Sequence, residues 1–290
     1  VAAASNQLLP DAGALDEADI RADWLRRRPL LEFLAAQPGG CYWICEDAGR
    51  LAGYVRVVQF EGYEELTELE VETSHQGQGI GRALLERCWP GDPSPDMGRL
   101  VVSTGAPASL SLFTDFGVMP VAGHWLLRQA TAEYLQARAR ELTDAAPTAV
   151  SVLEHERALA EWKRLEPAAL GHPRPALHDF FGRERTCLAY FDERSGEPVG
   201  LAWVSGNGEI GPAVGARPED LVPVVLAALD RVARSEQPEH LTVYATSIAW
   251  WLLRRLRSLG FKVHLPTWIM CSEPIPGLDR YVPTQPSQLL

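Results

Sequence analysis

At 290 residues the chain is longer than most single cores and suits two domains, with 46% hydrophobic residues and nine tryptophans to fill them. A formal net charge of −11 argues against nucleic acid, which rewards a basic footprint, and is compatible with cationic substrates. Five cysteines, an odd number in a long chain, make no disulfide framework, so reduced cytoplasmic thiols are expected. The start lacks the basic and apolar regions of a secretory leader, and the longest apolar run, around 221–229, is too short to span a bilayer. A soluble, cytoplasmic protein with neither a nucleic-acid nor a membrane partner is the expectation.

Residues 1–16 are polar and weakly patterned. Between 16 and 36, Ala18, Ile20, Trp24, Leu25, Leu31 and Leu34 predict one or two helices interrupted at Pro29. Pro38-Gly39-Gly40 breaks them, and 41–46 with 51–60 reads as a hairpin around Asp47-Ala48-Gly49-Arg50. A strand over 65–73 carries Leu69 and Val71 at alternating positions. It runs into Gln76-Gly77-Gln78-Gly79-Ile80-Gly81, after which Ile80, Leu84, Leu85 and Cys88 fall on one helical face until Pro90. Glycines where a strand hands over to a helix let backbone N–H groups converge, and the helix dipole adds positive charge. Such a place holds a diphosphate.

Two phosphate loops do not fit. The Walker loop needs Lys-Ser/Thr after its last glycine, and here Arg82-Ala83 follows Gly81. The dinucleotide fingerprint needs G-x-G-x-x-G, and this loop reads G-x-G-x-G with Gln76 three residues before Gly79. It resembles instead the Q/R-x-x-G-x-G/A signature of the GNAT family of acetyl-CoA-dependent N-acetyltransferases, with an L-x-V strand before it and an A-L-L helix after it. The resemblance implies acetyl-CoA bound along Leu69, Val71, Thr73, Gln76, Gly77, Gln78, Gly79, Ile80, Gly81, Arg82 and Phe113, without a metal. It implies direct attack by a small-molecule or peptide amine in a ternary complex.

Next come a Pro- and Gly-rich loop (91–98), a short β run (100–103), a helix (106–116) stopped at Gly117, and a strand (118–127). The GNAT resemblance therefore extends over 1–130. A charged linker helix is expected over 131–148. Beyond it the pattern repeats: Cys41…Gly53-Tyr54 is echoed by Cys187…Gly200-Leu201, and Phe116-Gly117…Trp125 by Leu259-Gly260…Trp268. Residues 149–273 thus resemble a second, degenerate GNAT-like domain. Its helices are expected between Val152 and Leu165, and a hairpin at Arg194-Ser195-Gly196-Glu197. Around Gly211 and Gly215 the phosphate loop is gone, and Glu219 and Asp220 would oppose a diphosphate. A Pro-rich tail (274–290) is expected to lie extended on a surface. The fold class is α/β (α+β): two domains, each a mixed, mostly antiparallel sheet flanked by helices.

On the strand before the loop, alternation puts Glu68, Glu70 and Glu72 on one face and Glu65 with Leu69 and Val71 on the other. Glu68, Glu70 and then Glu65 are the candidate general bases, against the plainer reading of a solvated acidic face. The tyrosine that many GNAT enzymes carry four residues before the closing glycine is replaced by Phe113, and the asparagine near that helix's start by Ala106. The second half has Leu256 at the tyrosine position. The seven histidines show no metal-ligand spacing, and Trp43, Trp125, Trp203, Trp250, Trp251 and Trp268 read as core. His172 and His178 read as flanking a loop. The leading reading is an N-acetyltransferase of an unidentified, cationic primary amine. Its rivals are a non-catalytic acyl-CoA sensor and a structural pair whose second half is a lid or homodimer surface.

Overall fold

A computed structural model describes residues 17–94, 96–141 and 150–284. The first described element is one helix, α1 (Glu17–Ala35), running straight through Pro29. A proline leaves the carbonyl four residues back, that of Leu25, without its helical donor. Leu25 is 52% exposed, so water reaches it and the expected break does not occur. Strands β1 (Cys41–Asp47) and β2 (Arg50–Phe60) form the expected hairpin. Its two turn residues, Ala48 (φ 49°) and Gly49 (φ 76°), are both left-handed, which matches the twist of the flanking strands. Then follow β3 (Tyr63–Val71), α2 (Ile80–Cys88), β4 (Gly98–Ser103), α3 (Pro107–Asp115), β5 (Met119–Ala130) and α4 (Thr131–Glu141). The second half contains β6 (Val150–Val152), α5 (His155–Leu170), α6 (Pro175–Phe181), β7 (Thr186–Phe191), β8 (Pro198–Val204), β9 (Glu209–Gly215) and α7 (Pro218–Ser235). It ends with β10 (His240–Thr246), α8 (Trp250–Ser258), β11 (Lys262–Cys271) and β12 (Tyr281–Val282). No described helix is long and apolar enough to cross a membrane.

The chain divides into two compact units, and the division does not follow the sequence order. The first unit holds the described residues through Pro120 together with Ile269–Glu273; the second holds Val121–Trp268 and 274–284. The strand over 121–130, assigned by sequence to the first domain, groups with the second unit, where β5 pairs antiparallel with β10 from His124–Thr246 to Ala130–His240. In return, Ile269–Glu273 supplies the first unit: Ser272 Oγ accepts from the Arg99 N–H (2.8 Å) and its own N–H donates to Arg99 O (2.9 Å). Met270 is fully buried in that unit's core with Val57, Leu85, Trp89, Val101 and Phe116. Strand pairing outweighs chain proximity here because each strand satisfies its ladder and buries a face at once. Of the predicted linker helix, 131–141 is helical and 142–148 lies outside the described residues.

In the first unit β1, β2 and β3 are antiparallel and β3 runs parallel to β4 over Tyr63–Gly98 to Leu66–Val101. The β2–β3 register pairs Val57 with Leu66 but Arg56 with Glu68, so Thr67 is bulged out. Leu66 and Leu69, three residues apart, consequently share the face that packs on α2 and α3. Glu65, Glu68 and Glu70 share the opposite face, opposite Val58, Arg56 and Tyr54. The strict alternation that put Glu65 with Leu69 and Val71 is thereby corrected. Glu72 lies past the strand and caps the turn that follows.

The second unit repeats the plan. β6, β7, β8 and β9 are antiparallel, β9 runs parallel to β10, and β12 pairs with β9. The echoed glycines do the same job in both halves. A Cβ on Gly53 would lie 2.9 Å from Glu70 O and 3.3 Å from Ile80 and Leu84; one on Gly200 would lie 3.0 Å from Asp220 O and 3.1 Å from Val224. Each lets a helix, α2 or α7, sit close on its sheet. Helices α3 and α8 have equal length and are followed by Gly117 (φ 79°) and Gly260 (φ 90°), both left-handed.

Three further expectations change. Among the named tryptophans, Trp203 is buried, but Trp250 and Trp251 are 66% and 64% exposed and Trp43 and Trp268 are exposed too. An apolar run at a helix start need not face inward when the helix turns its Leu252, Leu253 and Leu256 to the core instead. The tail is not an extended surface strip. Leu278, Tyr281 and Val282 are fully buried, and only 285–290 lies outside the described residues. His178 sits on α6, fully buried, beside Glu166 and Arg174.

Candidate functional site

The glycine loop is built by local sequence. Val71 ends β3, Glu72 accepts from the Ser74 N–H (2.8 Å) and the Ser74 hydroxyl, and Thr73–His75 forms one 3₁₀ turn. His75 is held between Glu72 (3.0 Å) and Asp47 (3.2 Å). Bonds from Ser74 and His75 lower the Glu72 pKa to about 2, and the bonds to Glu72 and Asp47 raise that of His75. Each bond favours the charged form of its partner, so the brace holds most firmly with Glu72 ionised and His75 protonated. The Gln76 side-chain amide donates to Val71 O (3.1 Å) and that of Gln78 to Ser74 O (3.1 Å). The two amides fold the loop back on its own strand end.

Gly77 (φ 75°) and Gly79 (φ 84°) are left-handed, and a Cβ on either would meet nothing within 4 Å. They are glycines for conformation, with open space before them. Gly79 is the N-cap of α2, with no side-chain cap bond and no acidic residue in the first turn. The first N–H groups of α2 thus keep their partial positive charge turned outward. Ile80 and Gly81 are half-buried, and Arg82 is exposed, paired with Asp115 and 5.9 Å above the Phe116 ring. In the second unit the corresponding place is closed. Asp220 accepts from the Arg217 backbone N–H (3.1 Å) and pairs with its guanidinium (3.0 Å), so α7 is capped by its own carboxylate. Cβ atoms on Gly211 and Gly215 would lie 2.8 Å from Pro283 O and 2.6 Å from Arg217 O. These glycines serve backbone packing, and the residues do not fit a diphosphate. Those of the first unit do.

Beside the loop, β3 parts from β4. Their pairing ends at Leu66–Val101, while β3 continues to Val71 and β4 to Ser103. The Glu72 N–H donates to Ala52 O (2.8 Å), so the antiparallel alternation turns the N–H groups of Leu69 and Val71 away from β2, toward the opening. On the sheet face away from α2, Glu68 Oε2 lies 3.0 Å from Arg56 Nη2, and Arg56 Nε donates to Thr67 Oγ1 (3.1 Å). Burial raises the Glu68 pKa, opposed by Arg56 and Arg27; burial also raises that of Glu70, and the neighbouring Glu68 adds to it. Glu65 is 4% exposed, inside the sheet between Val58 and Leu100. Phe113 is buried in the core cluster with Leu84, Leu85 and Trp89, so its ring belongs to the packing of the first unit. Thr73, Gln76 and Gln78 are exposed.

A cavity of about 680 Å³ opens over the same face, lined by Trp24, Arg27 and Leu31 of α1 and by Tyr42, Tyr54, Arg56 and Glu68 of the sheet. Sequence reading passed over Tyr54 and Arg56. Their signal was polar residues at alternate positions of an otherwise apolar strand. Among the described residues no group of three or more His, Cys, Asp or Glu is gathered to hold a metal, and all five cysteines are free thiols.

Residues 38–107 match the family model described as acetyltransferase (GNAT) domain. A candidate acetyltransferase of Pyrococcus horikoshii aligns over 92% of this chain and 86% of its own, at 15% identity and a TM-score of 0.64. A tandem GNAT protein of the clavulanic acid biosynthesis pathway aligns over 82% and 85%, at 17% and 0.54. A Drosophila protein aligns over 88% of each chain, at 14% and 0.53. At such identities the likeness is one of fold. The matched segment contains the hairpin, the bulged strand, the open glycine loop and its uncapped helix, and over those residues the chain is similar to the acetyltransferase domain of the GNAT family.

Proposed function

We propose that the protein is an acetyl-CoA-dependent N-acetyltransferase acting on a small primary amine that is cationic in solution. The observation that carries this reading is the pair of open, left-handed glycines at the uncapped start of α2, beside the parted ends of β3 and β4. When bound there, acetyl-CoA supplies an activated acyl group on a thioester. The N–H groups at the start of α2, with Gly79, Gly81 and Arg82, hold the diphosphate. Leu69 and Val71 offer their N–H groups to the acyl carbonyl, where fixed donors out of bulk water are most effective.

An alkylammonium, with a pKa of about 10, must lose a proton before it attacks. Glu68 lines the amine side, Glu70 stands on the same face, and the two are the proposed proton acceptors, burial having raised the pKa of each. Glu65, shut inside the sheet, is not placed to take the proton. A departing thiolate, at a pKa of about 8.5, takes its proton from solvent, so Phe113 does not bar the reaction.

The hydroxyl missing at Phe113 is the observation that favours a second reading, an acyl-CoA sensor without turnover. Thiol release from acetyl-CoA with a panel of amines tests the proposal. Amine-dependent release that Gly79→Glu abolishes is expected; tight CoA binding with no release for any amine leaves the sensor.

A further inference from the structure

The cavity over β1–β3 has a polar end and an apolar wall, and the two together specify a ligand. At the polar end, Tyr54 is only 8% exposed and its hydroxyl has no hydrogen-bond partner among the described residues. A buried phenol without a partner is costly, and here it faces a cavity. Opposite it on β3 stands Glu70, and next to it on the same face are Arg56 and Glu68. The apolar wall comes from Trp24 and Leu31 of α1 and from Tyr42 and Leu51 of the β1–β2 hairpin. Arg27 also lines the cavity, so a ligand with a long cationic body would meet two guanidiniums there.

Resting on the acetyl-transfer reading, we propose that this cavity is the acceptor site and takes a primary amine carried on an aromatic or branched aliphatic body. The nitrogen sits at Tyr54 Oη and Glu68, and the body lies on Trp24, Tyr42 and Leu31. An ammonium donates to the carboxylate and to the phenol oxygen. Once deprotonated, its nitrogen accepts from the Tyr54 O–H, which therefore has a partner in either state. At about 680 Å³ the cavity is within the range that encloses a small ligand. Arg27 and Arg56 disfavour a linear polyamine, whose second charge would lie along the wall.

Calorimetry without acetyl-CoA tests the site apart from the reaction, with 2-phenylethylamine, 2-phenylethanol and spermidine as probes. 2-Phenylethylamine is expected to bind at least tenfold tighter than either of the others. Tyr54→Phe, which removes only the unpartnered hydroxyl, is expected to weaken 2-phenylethylamine about tenfold while urea unfolding shows stability held or raised. Equal binding of spermidine, equal binding of 2-phenylethanol, or unchanged binding by Tyr54→Phe each overturns the inference. Acetylation of spermidine without binding of 2-phenylethylamine overturns it while leaving the transferase reading standing. Binding as expected without thiol release does the reverse.

Discussion

Glu68 carries more of the proposed chemistry than any other side chain, and its surroundings explain why. It lies beside Arg56 at 3.0 Å on a half-buried strand, next to a cavity and not in the solvent. Removing water disfavours the carboxylate, while Arg56 and Arg27 disfavour the acid, and burial wins. A base must be deprotonated to act, so a raised pKa moves the acid limb of kcat/KM above the position an ordinary glutamate would give. Glu68→Gln is expected to lower kcat by about 100-fold, the lower range of general-base contributions, with CoA affinity unchanged. The acid limb should vanish with it. If kcat and the limb both survive, Glu68 is only the partner of Arg56 and the proton leaves another way.

Among elements, the strand–loop–helix unit occurs twice with opposite outcomes. In the first copy Gly77 and Gly79 face open space and α2 has no acidic residue in its first turn; in the second, Asp220 caps α7 and Gly215 is pressed on Arg217 O. One change in each copy separates the roles. Gly79→Glu places a carboxylate before the helix start and is expected to abolish CoA binding, with roughly 1–2 kcal/mol of strain from the left-handed backbone. Gly215→Ala is expected to lower the unfolding free energy of the second unit, because backbone 2.6 Å from the new Cβ must move, and to leave CoA affinity unchanged. Calorimetry should count one CoA per chain. Two equivalents, or full binding by Gly79→Glu, would show that the loop is not the site.

At the scale of the whole molecule, the second unit keeps buried charge where the first keeps an open cleft. Glu166 is fully buried, with Arg174 Nη2 at 2.9 Å, His178 Nε2 at 2.9 Å and Tyr281 donating at 3.2 Å; the Trp203 indole donates to His178 Nδ1 at 3.0 Å. Burial lowers the His178 pKa despite Glu166, and lowers that of buried His124 to about 3. The Glu166 pKa is also lowered: Arg174 and His178 together overcome the burial that would raise it. A histidine held neutral binds fewer protons folded than unfolded below about pH 6.5, so its contribution to stability is lost as pH falls from there. Glu166 contributes above its unfolded value of about 4.3 and loses that contribution below it. All three shifts therefore make acid destabilising. His124 alone accounts for roughly 2 kcal/mol between pH 6.5 and 5. Urea unfolding at the two pH values, resolved by hydrogen exchange in the second unit, should show it, and identical free energies would refute it.

The exchanged strand gives a second expectation at this scale. A chain ended near residue 144 keeps every motif of the first domain but loses Ser272 on Arg99 and Met270 from the core. Loss of Met270 alone resembles a large-to-small core change, about 2–5 kcal/mol. Such a fragment should unfold at markedly lower urea than the first unit of the full chain. Equal midpoints would mean that Ile269–Glu273 adds nothing to it.

The loop, the helical face of Leu84, Leu85 and Cys88, the hairpin turn and the duplicated Gly117 and Gly260 were all legible in the sequence. Each depends on residues within a few positions of one another, where propensity and period decide. The bulge at Thr67 was not, since it exists only as a mismatch between two strands, and it moved Glu65 to the face of Glu68. Nor was the division into units legible, because the partner that completes a ladder is chosen by hydrogen bonding and burial, not by nearness in the chain. Tyr54 became a candidate only once the fold brought α1 and β2 to line one cavity with its hydroxyl facing it. The sequence by itself determined the glycine loop and the repeat; the tertiary structure decided which carboxylates, which phenol and which strand stand beside them, because those are set by long-range register.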